Sequence, residues 1–139
     1  MNDPFDLARF VEAQQRDYQQ ALDELRAGAK RSHWIWYVFP QLRGLGRSEM
    51  AEHYGISGID EARAYLAHPL LGPRLEDCAR ALLLHRARPV RQIMGSPDDL
   101  KLRSSMTLFQ AVAPQQPLFA EVLQAFYDGE QDAATLQRL

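Results

Sequence analysis

The side chains best suited to hold an anion are concentrated between Lys30 and Ser48. They are Lys30, Arg31, Arg43 and Arg47, joined by His33, the amide of Gln41 and the glycines Gly44 and Gly46. Arginine forks grip carboxylate or phosphate through parallel N–H donors, and backbone amides beside glycines can approach an anion closely. Trp34 and Trp36, both tryptophans of the chain, stand among these cations and offer faces on which a base or ring can stack. From Leu25 to Ser48 there are five Lys or Arg and no Asp or Glu, so a chain of net charge −2 carries +5 here and −7 elsewhere. The pattern predicts a pocket for a small anionic, nucleotide-like ligand, with Arg43 and Arg47 on the anion and Gln41 orienting it. Gly44-Leu45-Gly46-Arg47 lacks the spacing of a Walker loop and the third glycine of a dinucleotide fingerprint, so neither motif is implied.

A second constellation is Lys101 with Ser105, one helical turn apart at the margin of an apolar face. A desolvated ammonium there would bind an anion or activate the serine as a nucleophile, whereas a lysine at such a margin also serves by burying its stem and keeping its charge wet. Ser104 and Thr107 are expected nearer to solvent. His33 is the candidate proton carrier, because it leads into the aromatic run between the basic residues. His53, His68 and His85 stand at no ligand spacing with one another, with Cys78 or with a carboxylate, so neither metal nor cofactor is expected. Cys78 falls on an inner helix face and reads as a small buried hydrophobe. The tryptophans serve equally well as core anchors, and the exposed cations as the rim of an acidic partner's docking face. The alternative function is therefore a helical protein–protein interaction module without catalysis.

The elements that must position these residues read as helices throughout. Asp3-Pro4 with Asp6 looks like a capped helix start, and Leu7, Phe10, Val11, Gln14, Tyr18, Ala21, Leu22 and Leu25 recur at three-and-four spacing up to a stop at Gly28. Trp34–Phe39 suits either a buried strand or a helix. No second strand-like run exists to pair with it, so a short buried helix is predicted, capped by Ser32 and ended by Pro40. Gln41–Arg47 is a loop. Ser48 caps a helix through Tyr54, closed by Gly55 with Ile56 folding back. Ser57 and Asp60 form a capping box for a helix to Ala67, and Gly72-Pro73 opens the next. Pro89–Met94 is a short turn, Ser96-Pro97-Asp98-Asp99 starts a helix to Ala113, Pro117 opens another to Asp128, and Asp132 caps a last one. The expectation is an all-α, compact multihelical single domain over residues 1–139, with the aromatic helix at its centre.

Composition bounds the rest. A chain of 139 residues with 46% hydrophobic content buries a core without disulfides or metal. A pI near 6.1 argues against wholesale nucleic-acid or membrane-surface binding. A single cysteine and an N-terminus without basic and apolar signal regions predict a cytoplasmic, untargeted protein.

Ser32-His33-Trp34-Ile35-Trp36-Tyr37-Val38-Phe39-Pro40-Gln41, Gly44-Leu45-Gly46, Tyr65-Leu66-Ala67-His68-Pro69 and Lys101–Phe109 resemble the signatures of a bacterial and fungal domain family of unknown function. The resemblance covers nearly the whole chain and implies a compact, mainly helical domain, with no activity attached. Members of that family often bear the label calpastatin. Calpastatin's inhibitory segments are disordered until they fold on their protease, whereas capped amphipathic helices and a full set of core aromatics predict autonomous folding, which opposes that label. The Asp-x-Lys segment Asp99-Leu100-Lys101, with the later Phe109, is also similar to helical glycosidase-like domains linked to ADP-ribose metabolism.

Overall fold

The structure, a computed structural model, describes residues 3–139 and contains nine α-helices among them. They are α1 (Ala8–Ala27), α2 (Ile35–Val38), α3 (Glu49–Tyr54), α4 (Ile59–Ala67), α5 (Leu71–Leu83), α6 (Val90–Met94), α7 (Asp98–Val112), α8 (Pro117–Tyr127) and α9 (Ala133–Gln137). The all-α expectation holds. α5 packs on α1, α4 and α8, α8 packs on α7, and one continuous apolar core runs through them. Leu71, Leu75, Cys78, Ala79 and Leu82 form the buried stripe of α5, and Leu102, Met106 and Phe109 that of α7. The aromatic residues Phe10, Tyr65, Phe109 and Phe119 form a contiguous chain through this core, with ring centroids 5.1 to 5.9 Å apart.

Most helix ends follow their local signals. Gly28 closes α1 in the left-handed conformation, with φ of 73°. Ser48 accepts from the Ala51 amide and Asp132 from that of Thr135. Phe39, ahead of Pro40, leaves helical geometry at ψ 73°. Four predicted details are corrected. α1 begins at Ala8 rather than beside Pro4, although Asp3 does accept from the amides of Leu7 and Ala8. Ser32 does not cap α2, because its hydroxyl is drawn to Glu24. In α4 it is Glu61, not Asp60, that reaches back to the Ser57 amide. Ser96 makes no cap, and the Ser96–Pro97 peptide is cis. The loop after α2 also makes one parallel bridge that the sequence does not announce, between Leu42 and Ile56.

One buried ion pair knits the N-terminal half. Arg9 and Glu61 meet at 2.7 Å with side chains only 7% and 2% exposed. The same guanidinium donates to the carbonyls of Phe5, Asp6, His53 and Gly55. It therefore ties the start of α1 to the end of α3 and the start of α4. Removing one member of such a pair strands the other charge without compensation. Arg9→Ala should cost about 3–5 kcal/mol in urea unfolding. A midpoint equal to that of wild type would contradict the assigned role of this pair.

Candidate functional site

Asp98 joins the two segments that the sequence singled out. Its carboxylate meets Lys30 Nζ at 2.7 Å and Lys101 Nζ at 3.7 Å. Each ammonium also lies against an indole: Lys30 is 4.7 Å from the Trp34 centroid and Lys101 is 5.0 Å from that of Trp36. α7 supplies Asp98 and Lys101 from its first turn. The Lys30 segment is placed by its amide, which donates to the Ile93 carbonyl of α6 at 2.8 Å.

Glu24, in the last turns of α1, seats the aromatic segment. Its Oε1 accepts from the amides of Arg31 and Ser32 at 2.8 and 3.0 Å and from the Trp34 indole at 3.0 Å, and its Oε2 from the Ser32 hydroxyl at 2.7 Å. Desolvation pushes this carboxyl up, but the donors outweigh it, the Ser32 hydroxyl and Arg31 amide foremost, and bring it down to about 2. The sequence reading missed Glu24. Its signal was an acid near the carbonyl end of a helix, where the dipole disfavours negative charge. On the other side of the segment the Tyr37 hydroxyl binds Asp17, and Gln14 Nε2 donates to the Tyr37 carbonyl at 2.6 Å.

Several expected roles change with this geometry. Trp34 is 1% exposed with its N–H on Glu24, so its faces serve the core and not a stacked ligand. Lys30 is a buried ion-pair member with a 5% exposed side chain, not a rim cation. Ser105 is fully buried with its hydroxyl unpartnered, out of reach as a nucleophile. Ser104 and Thr107 are buried too, and both serve to dock α9: Ser104 donates to Asp132 and Thr107 accepts from its amide. Arg43 spends Nε and Nη2 on the carbonyls of Glu52 and Gly55 at the end of α3. Gly44, at φ of 97°, takes a conformation other residues resist and lies under Arg138, whose Nη1 would be 2.8 Å from a Cβ there. Arg31 is exposed beside Gln20, Asp23, Ala27 and Ala29, on the α1 side. His33 and Arg47 are exposed, and neither takes part in an ion pair among the described residues.

Trp36, Gln41 and Gly46 do come together. With Leu42, Ala51, Tyr54 and Gly55 they line a small cleft whose cavity is about 10 Å³. The Trp36 indole N–H is buried and has no protein acceptor. The N–H is a donor only, so Trp36, one wall of this cleft, carries an unanswered donor, and the cleft itself has room for one small atom group.

A family model described as "Protein of unknown function (DUF1810)" matches residues 4–139. The structure is similar to a crystal structure of the conserved hypothetical protein Rv1873 from Mycobacterium tuberculosis. The two share 52% identity at a TM-score of 0.97, with 99% of this chain and 98% of that one covered. No curated protein matches the chain. No helix among the described residues is long and apolar enough to cross a membrane.

The geometry around Glu24 gives a pH signature. Its folded pKa lies below the unfolded one, so its contribution is complete above about 4.5 and disappears as pH falls towards about 2. Glu24→Gln should be about 1–3 kcal/mol less stable than wild type at pH 7. That gap should close on acidification through the same window, followed by denaturant melts at each pH. A gap independent of pH would contradict the ionised role of Glu24.

Proposed function

The chain belongs to the DUF1810 family of proteins of unknown function, and we propose that it binds a small anionic, nucleotide-like ligand at the Trp36 cleft. The observation that carries this reading is the indole of Trp36. Its N–H faces no protein acceptor, while the Lys101 ammonium stands 5.0 Å from the ring centroid. An anionic oxygen accepts from the N–H, and the Lys101 ammonium, which shares Asp98 with Lys30, attracts it from the face of the ring rather than from the cleft wall. Gln41 and Gly46, which line the same cleft, orient the bound group. The cleft takes in only the anionic end, so the rest of the ligand lies along the Gln41–Arg47 loop. There Arg47 is exposed and His33 stands at the approach to α2. With Ser105 enclosed, His33 is the group left to carry a proton for any step on the ligand.

The alternative is an interaction module, and the shallowness of the cleft favours it. Neither His33, Arg43 nor Lys101 lines the cleft. A thermal-shift screen of nucleotides, ADP-ribose, dinucleotides and sugar phosphates separates the two. A ligand at 100 times its Kd stabilises the native state by about 2.7 kcal/mol. The expected result is a rise in Tm with one ligand class that is lost in Lys101→Ala and in Gln41→Ala. If no compound raises Tm, or if the rise survives both substitutions, the cleft is not the site.

A further inference from the structure

The connection from α5 to α6 carries a second group of cations that the Trp36 cleft does not use. From Cys78 to Pro97 the chain holds four Arg and no Asp or Glu. All four are exposed; Arg80 pairs with Glu76 and Asp77 on its own helix, which leaves Arg86, Arg88 and Arg91. The fold sets this connection against the C-terminal end of α1. His85 Nε2 lies 3.0 Å from the Leu25 carbonyl and 2.9 Å from that of Arg26, and the Arg88 guanidinium lies over Gly28 where any Cβ would meet it. The juxtaposition adds exposed Arg26 and Arg31 to the group. None of these five arginines forms an ion pair among the described residues. The acids at the margin are Asp23, which accepts from Gln19, and Glu24, which holds four donors.

Part of this charge has a structural reason. His85 and Arg88 sit at the carbonyl end of α1, where the helix dipole favours cations. Arg26 and Arg91 stand in the last turns of α1 and α6, where the same reason applies, whereas Arg31 and Arg86 lie outside any helix. Leu84, 70% exposed at the end of α5, adds an apolar side chain next to them in the chain.

We propose that this arginine patch docks a short acidic segment of a protein partner, with Leu84 meeting an apolar side chain of that segment. Guanidinium forks pair with carboxylates through two parallel hydrogen bonds, and arginine is enriched at protein interfaces. Two features favour a short peptide over other polyanions. No Phe, Tyr or Trp side chain among the described residues is exposed, so the patch lacks the large platform on which single-stranded bases stack. The chain apart from these five arginines carries −7, so a long polyanion or an anionic lipid plane reaching beyond the patch meets repulsion.

The test is fluorescence anisotropy with the full chain and a labelled peptide of about twelve Asp and Glu residues around one Leu, a length chosen to span a patch of this kind. The comparators are the same peptide with Ser for Leu, a single-stranded oligonucleotide of equal charge, and phosphatidylserine-containing vesicles. The peptide should bind, and roughly tenfold more weakly as salt shortens the screening length. The double variant Arg86→Glu with Arg91→Glu should weaken it by at least roughly tenfold, and Leu84→Ser by roughly threefold, at unchanged Tm because these side chains are exposed. Absence of peptide binding at low salt overturns the proposal, as does an unchanged Kd in the double variant. Tighter binding of the oligonucleotide or the vesicles, lost in the same variant, overturns it in favour of that partner.

Discussion

Asp98 is the carboxylate on which the central geometry depends. It stands in the first turn of α7, where a negative charge suits the helix dipole, and it accepts two ammonium groups from segments far apart in the chain. Lys30 brings the entrance of the aromatic segment to α7, and Lys101 leans over Trp36. Without this carboxylate the two ammonium groups it pairs would stand uncompensated, that of Lys30 on a side chain only 5% exposed. Like charges repel most strongly where water is excluded. The side chain of Lys30 is thus held against α7 by this acid.

A second acid sets the depth to which the aromatic residues sink. Glu24 takes up the backbone donors of Arg31 and Ser32 just before α2 and fixes the Trp34 ring beneath them. With Trp34 enclosed between Glu24 and Lys30, α2 is left with one tryptophan, Trp36, partly open at its surface. The division of labour between the two indoles follows from which one finds an acceptor. Trp34 has Glu24, whereas Trp36 has none. An anchored ring at the cap of α2 thus stands two residues from an unanswered one within it.

The helical architecture was legible because its signals are local. Ser48, Asp132, Gly28 and Pro117 act within a turn of themselves, and their effect can be read from a few neighbouring letters. The placement of the aromatic helix was legible as well, since no strand-like segment offered itself as a partner. The state of the charges was not. Lys30, Arg43 and Ser105 looked like site residues, yet Asp98, the carbonyls of Glu52 and Gly55, and the α7 packing face absorb them. Those partners come from distant parts of the chain, or from backbone groups whose positions depend on the fold. A local excess of cations announces that something must neutralise them, and it does not say whether a ligand or the protein does so. Arg138 against Gly44 is the same lesson from the opposite end of the sequence.

The most direct test of this arrangement is a double-mutant cycle between Lys30→Met and Asp98→Asn, measured by urea unfolding. Pairing of the buried Lys30 ammonium with Asp98 predicts that the two substitutions are strongly non-additive, with a coupling of about 1–3 kcal/mol. The double variant should then be close to, or more stable than, the worse single variant, because neither charge is left stranded. Additivity within a few tenths of a kcal/mol would contradict the account: Asp98 would not be what holds the side chain of Lys30 to α7.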